Sequence, residues 1–331
     1  MSEKRFPLEA LHADALCADM PGCMALLVFA GKGGEVLHEL KLLYPQSHSR
    51  IYYIEDTLQT QMPKVLSVAE KLNIPCIVLN GEEQPHPGAF IQTNNPRVSL
   101  ISRGTEDPDP VQAILDKMKP SYFTWIGFQR YLTNPAVLDS LTDHYVETLR
   151  LGDFRNSVAT AEPLLREAAY HYIDMRSVRH SDAPDGISTT PNGLYAEEIC
   201  TLARYAGLSA DLRLAILYGY PAKSRRYSQS ARLTAQVIWH ITEGLAVSVN
   251  EHPEKDTDLF HRKVVQMGED GQELVFLLSK KTGRWWIEVP NSKDPARPVH
   301  IACSTEDYVL ACKGEIPIKW LFYYQKSNNF S

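Results

Sequence analysis

The sequence predicts an α/β protein, a three-layer αβα architecture on a mostly parallel sheet. Two observations predict it. Short apolar runs such as "MALLVFA" and "IPCIVL" are continuous, the pattern of strands buried on both faces. These runs alternate strictly with amphipathic stretches, which implies βαβ units with helices on both faces of the sheet.

Taken in order, "MALLVFA" (24–30) is the first buried strand, followed by glycines and the helical "EVLHELKLLY". "SRIYYIE" is a strand, "QMPKVLSVAEKL" a helix and "IPCIVLN" a strand again. Segment 81–110 is rich in Pro, Gly and Asn and reads as an irregular loop with a short strand at "RVSLIS". "SYFTWIGF" (121–128) and "LDSLTDHYVETLRLG" resume the alternation. "AYHYID" is a strand that leads through a proline-rich loop into a helix over about Leu194–Tyr205. "LRLAILYGY" and the long helix "ARLTAQVIWHITEGL" close the series. After about residue 255 the rhythm changes: "HRKVVQMG-EDGQ-ELVFLLSK" has the form of a hairpin around a Gly-containing turn, and an aromatic-rich tail follows. The expected division is therefore 1–255 as the α/β domain and 256–331 as a hairpin and tail packed on it. Trp285 and Trp286 are read as core or interface anchors.

The 331 residues are 44% hydrophobic and 22% charged, as in ordinary globular chains, with net charge -6 and pI near 6.0. That balance argues against a nucleic-acid partner, and the basic "KSRR" at 223–226 reads as a solvated loop. No apolar run is long enough to span a bilayer and the N-terminus has no signal core, so a cytoplasmic location is expected and no membrane partner. Cys17, Cys23, Cys76, Cys200, Cys303 and Cys312 are far apart with no CxxC pair, which predicts free thiols rather than a zinc or redox centre. "AGKGGEV" is neither GxGxxG nor GxxxxGK[ST], and reads as a tight strand-to-helix turn. No GxSxG elbow is present.

The segment "YIDMRSVRHSDAP", followed by "DGISTTPNGLYAEE", resembles the third metal-binding motif of the ureohydrolases, the arginase, agmatinase and formimidoylglutamase superfamily. "SDAP", "TPNGLYAEEICTLARYAGLS", "AQVIWHITEG", "RWWIEVP" and "EIPIKWLFYYQK" make the resemblance closest to a formimidoylglutamase-like branch known from Bacteroidetes. These matches span about residues 120–325. The resemblance implies an arginase-like fold, and two manganese ions held by two histidines and four aspartates that activate a bridging hydroxide.

Carried over residue by residue, that ligand set is incomplete. Gly-Gly-Asp-His is set against Gly33, Gly34, Glu35 and Val36, with His38 turned about 200° away on a helix. Asp-Ala-His-x-Asp is set against Glu55, Asp56, Thr57, Leu58 and Gln59. In the third motif Asp174 keeps the first carboxylate, while Arg176 and Arg179 stand where later aspartates would be. An obligate cation at a ligand position repels a dication. Glu198 falls where the resemblance implies a substrate-contacting glutamate, and also reads as a first-turn acid favoured by the helix dipole. Setting the first motif after the first βα unit further implies an N-terminally shortened sheet, its edge covered by a partner chain or the C-terminal tail.

Three readings follow. The first is a ureohydrolase-like protein with a degenerate dimanganese site, vestigial at Glu35, Glu55, Asp174 and Glu198, acting as a binding or scaffold module for an unknown protein partner or by self-association, with no cofactor. The second is a hydrolase of linear amidines or guanidines whose site is rebuilt from Glu35, Glu55, Asp56 and Asp174, with manganese as cofactor in that case only. The third turns the cation site into an anion site on Arg176, Arg179 and Lys32.

Overall fold

The computed structural model describes residues 6–328 except 17–22, 31–33, 46–49, 57–60, 87, 92, 106–108, 187, 222–227, 269–271, 292–293 and 295–296. Lys32, Cys17, residues 57–59 of the second motif and the "KSRR" segment therefore lie outside the described residues.

The chain begins with β1 (Leu8–Ala10), β2 (Cys23–Ala30), α1 (Gly34–Leu42), β3 (Arg50–Asp56), α2 (Met62–Lys71) and β4 (Cys76–Leu79). After a long loop come β5 (Arg97–Ile101), α3 (Asp109–Ala113), β6 (Tyr122–Phe128), α4 (Pro135–Asp143) and β7 (Glu147–Arg150). Then follow α5 (Leu151–Asn156), α6 (Ala161–Glu167), β8 (Tyr170–Asp174), α7 (Ala196–Gly207), β9 (Leu214–Tyr218) and α8 (Gln229–Val247).

Among the described residues these strands form one nine-stranded sheet in the order β1-β3-β2-β4-β9-β8-β5-β6-β7. Every pairing in it is parallel. Residues such as Leu27, Ile77, Ile173 and Leu217 face a core closed by α1, α5, α6, α7 and α8. Their neighbours Leu26, Val28, Val78 and Tyr172 face a second core under α2, α3 and α4. Two buried faces explain why the strands read as unbroken apolar runs, and they make the three layers.

The remaining chain forms an antiparallel sheet of β10 (Phe260–Met267), β11 (Gln272–Ser279), β12 (Trp285–Val289) and β13 (Val299–Cys303), followed by α9 (Thr305–Cys312) and α10 (Ile318–Asn328). The hairpin pairs Phe260 with Ser279 through to Met267 with Gln272. One face packs Phe276, Ile287 and Ile301 against Ala311 and Trp320. The other meets α6: the Arg166 guanidinium lies 4.3 Å from the centre of the Trp286 ring, and its terminal nitrogen donates to the Trp285 carbonyl at 3.2 Å. Trp286 is thus an anchor between the two sheets.

The tail does not cover the edge that sequence reasoning assigned to it. Lys319 Nζ reaches Glu147 of β7 at 3.4 Å, and Tyr323 stacks on Tyr122 of β6, both at the opposite side of the large sheet. The other edge ends in the three residues of β1, which pair with β3. Among the described residues no helix is long and apolar enough to cross a membrane.

Candidate functional site

Open parallel sheets hold ligands beyond the carboxyl ends of their strands. At that end of β8, next to the central strand β9, Asp174 is 3% exposed and lies beside Tyr218 of β9. Its carboxylate is clamped by a residue two positions on. Arg176 Nε donates to Oδ1 at 2.8 Å and to Oδ2 at 3.1 Å, its terminal nitrogen to Oδ2 at 2.8 Å, and its backbone N–H to Oδ1 at 2.9 Å. The chain turns here in a single 3-10 turn, Met175–Ser177, with Asp174 as its cap. Burial alone would lower the Arg176 pKa, but the Asp174 hydrogen bonds and charge raise it above the ordinary guanidinium value. Arg176 also donates to Gln84 Oε1 at 3.1 Å, which brings in the loop after β4.

The neighbouring strand makes room for this pair. Gly219, at φ +75°, follows Tyr218; a Cβ there would stand 2.5 Å from Asp174 Oδ1 and 2.8 Å from Arg176 Cγ. The Arg176 guanidinium lies 5.5 Å from the centre of the Tyr218 ring. Burial, then the Asp174 charge, pushes the Tyr218 phenol well above its usual range, so it stays protonated.

The other charges of the loop are spent on structure. Arg179 Nε donates to Asp182 Oδ1 at 2.7 Å, and Asp182 Oδ2 accepts from the N–H of Ala196, the first residue of α7, at 2.9 Å. Burial works against the charge on Asp182, but the bonds from Arg179, Ala196 and Ser181 hold it below the ordinary carboxylate range. Asp185 Oδ2 accepts from the N–H of Gln229, the first residue of α8, at 2.8 Å. Glu198 takes a forked pair of bonds from Arg155, at 2.9 and 3.2 Å, and a third from the Tyr195 N–H at 2.8 Å. Glu198 thus closes a capping box on the first turn of α7. Arg176 and Arg179 are each paired with a carboxylate, Asp174 and Asp182, and Lys32, their expected companion in an anion site, lies outside the described residues.

The expected grouping of Glu35, Glu55 and Asp174 is corrected by the sheet order. Glu55 sits near the end of β3, and β2, β4 and β9 lie between β3 and β8. At about 4.8 Å per strand that is a separation of roughly 19 Å, far beyond a shared metal pair. Glu35 opens α1 after β2, three strands from β8. Val36 is buried and His38 exposed, so the histidine does turn away. The loops that do border Asp174 follow β4, β9 and β5. Set against β4, Gly-Gly-Asp-His falls on Asn80, Gly81, Glu82 and Glu83; set against β5, Asp-Ala-His-x-Asp falls on Ser102, Arg103, Gly104, Thr105 and Glu106. Neither placement recovers a histidine. Gly104, at φ +145°, leaves no space for one, because a Cβ would lie 2.6 Å from the Leu132 carbonyl oxygen. Arg103 is tied to Ser188 of the β8–α7 loop at 2.9 Å. Among the described residues no group of three or more His, Cys, Asp or Glu side chains is placed to hold a metal ion.

Sequence reasoning missed Gln84, Arg155, Asp185, Gly104 and Gly219. One left a signal, the glycine just past an apolar strand in "LAILYGY".

No protein-family model matches the sequence, and neither does any curated protein. Solved structures do. Formimidoylglutamase from Bacillus subtilis superposes with a TM-score of 0.59 at 15% identity, over 73% of this chain and 91% of that one. Formiminoglutamase from Trypanosoma cruzi, solved with Mn2+, gives 0.57 at 14% identity over 73% of this chain and 100% of that one. Proclavaminate amidino hydrolase from Streptomyces clavuligerus gives 0.55 at 15%, over 73% and 95%. With its parallel sheet, flanking helices and strand-end loop in place, the chain has the arginase/ureohydrolase-superfamily fold.

Proposed function

We propose that this protein is a ureohydrolase-like binding or scaffold module that does not carry out dimanganese hydrolysis. The observation that carries the reading is the Asp174–Arg176 clamp. Both carboxylate oxygens at the end of β8 are occupied by one guanidinium, where the resemblance implies two metal-ligating aspartates. A pair of manganese ions needs several anionic oxygens within a few ångströms, and this donor set does not fit it. The closed position at Gly104 supports the same reading. Its partner is proposed to be another protein or a second copy of the chain. A cytoplasmic setting belongs to the same proposal, in keeping with free thiols at Cys23, Cys76, Cys200 and Cys303.

The test is metal content by mass spectrometry after incubation with excess manganese, paired with assays for urea, formamide or ammonia release from arginine, agmatine and formimidoylglutamate. The expected result is substoichiometric manganese and no product above the blank. Two manganese ions per chain, or metal-dependent turnover of any of the three, would replace this reading with the rebuilt hydrolase.

A further inference from the structure

At the opposite end of the large sheet, where β5, β8 and β9 begin, a cavity of about 400 Å³ opens between that sheet and the β10–β13 sheet. Its volume lies within the range of small-molecule sites. Arg97, Arg166, Arg284, His252, His300 and Trp286 are among the residues around it. Of the four carboxylates on its walls, Glu254 is half exposed and meets His252 at 3.7 Å, and the other three are engaged. Glu167 takes Arg97 at 3.3 Å and the Ala302 N–H at 3.1 Å, and Asp211 takes the other arm of Arg97. Glu251 accepts from the hydroxyls of Ser279 and Thr282.

Arg284 is different. Its side chain is 14% exposed, and its one ion contact is Nε to Glu162 Oε1 at 3.3 Å. That same oxygen already accepts from Arg166 Nε at 2.9 Å. Among the described residues the Arg284 side chain makes no hydrogen bond, so its donor fork is unmatched. Burial, with Arg166 and Arg204 nearby, holds this guanidinium below its ordinary range in spite of Glu162 and Glu251. A half-buried guanidinium whose one ion pair among the described residues is shared with Arg166 has donors to spare, and a planar fork matches carboxylate or phosphate oxygens two at a time.

We infer that this cavity is a binding site for a small molecule bearing a carboxylate or phosphate group, which Arg284 receives on its free fork. The site is separate from the Asp174–Arg176 clamp and independent of the function proposed for it. His252 and His300, which meet Glu254 and Glu288 at 3.7 and 3.6 Å, add donors on the cavity wall.

The experiment is calorimetric titration of the full chain with inorganic phosphate and, separately, with succinate, at constant ionic strength set by chloride. Saturable binding of either anion with a millimolar or tighter dissociation constant is expected, and the tighter one identifies the headgroup. Arg284→Gln is expected to weaken it at least tenfold, and Arg284→Lys, which keeps the charge but not the fork, by less. Should a variant not fold, anion-induced shifts of the Trp286 indole and His300 ring resonances in the unaltered protein give an independent readout. Neither anion binding saturably, binding unchanged in a folded Arg284→Gln variant, or binding that leaves both resonances unmoved would each overturn the assignment.

Discussion

Replacing Arg176 with methionine is the most direct test of what holds the strand-end loop. The substitution keeps most of the aliphatic length and removes the guanidinium, leaving Asp174 with one of its four hydrogen bonds, the backbone N–H to Oδ1. Asp174 is the buried partner, its side chain 5% exposed against 26% for Arg176. Taking one member from a buried pair costs about 3–5 kcal/mol, because the stranded charge has lost both water and its counter-ion. Spread over 331 residues at about 2.1 cal/mol/K each, the unfolding entropy is roughly 0.7 kcal/mol/K, so Tm falls by about 4–7 °C. Differential scanning calorimetry measures this. The double variant Asp174→Asn with Arg176→Met removes the stranded charge and is expected to recover about 1–3 kcal/mol of the loss. Asp174→Asn alone strands only a guanidinium that reaches solvent and Gln84, so it costs less. A loss below about 1 kcal/mol for Arg176→Met, or a double variant no more stable than the single, would refute the clamp as the loop's anchor.

Three further outcomes follow from the same geometry. Gly219→Ala drives a Cβ to 2.5 Å from Asp174 Oδ1, so it is expected to cost at least about 3 kcal/mol, whereas Gly268→Ala, at φ +66° with open space around it, costs only the roughly 1 kcal/mol of its backbone conformation; urea titration compares them. Burial pulls the His171 imidazole down to about 3. A folded-state pKa below the unfolded value means that this contribution is intact above about pH 6.5 and is lost as pH falls toward 3. The stability difference between the wild type and His171→Leu should therefore shift against the wild type by about 4 kcal/mol across that window, and a flat difference would sink the claim. Arg176→Asp, which restores a carboxylate where the resemblance implies one, is expected to leave manganese uptake unchanged, because Gly104 still blocks a histidine; mass spectrometry of the loaded variant decides it.

The layers and the loop were legible in the sequence because their causes are local. A strand buried on both faces must be apolar throughout, so β2, β4, β6 and β9 announce themselves. "SDAP…NGLYAEE" keeps a shape set by turn residues and caps. The grouping of the site was not legible, because it depends on strand order. Sequence places Glu35 and Glu55 first and second in line toward Asp174, yet β8 and β9 insert between β4 and β5 and leave β2 and β3 three and four strands from β8. Ladder order is a long-range property that no run of residues encodes. The partner of Glu198 was hidden for the same reason, since Arg155 lies 43 residues away; Arg179 and Asp182 are three residues apart, but the bond from the first N–H of α7 to Asp182 spans 14.

What holds the strand-end loop in shape is a set of carboxylates, each bound by the chain itself. A dication at such a strand end would hold the chain by gathering its carboxylates. Here each carboxylate is gathered by something else: Asp174 by Arg176, Asp182 by Arg179 and the first N–H of α7, and Asp185 by the first N–H of α8. Two of the four contacts are helix N-termini, where unpaired N–H groups and the helix dipole favour an anion in any case. The remaining two use arginines where the resemblance implies further acids, so each supplies a positive charge beside the carboxylate it holds. The charges of Asp174 and Asp182 are balanced by Arg176 and Arg179. Reversing a single arginine leaves the capping bonds of Asp182 and Asp185 in place, and with them the junctions of the loop to α7 and α8.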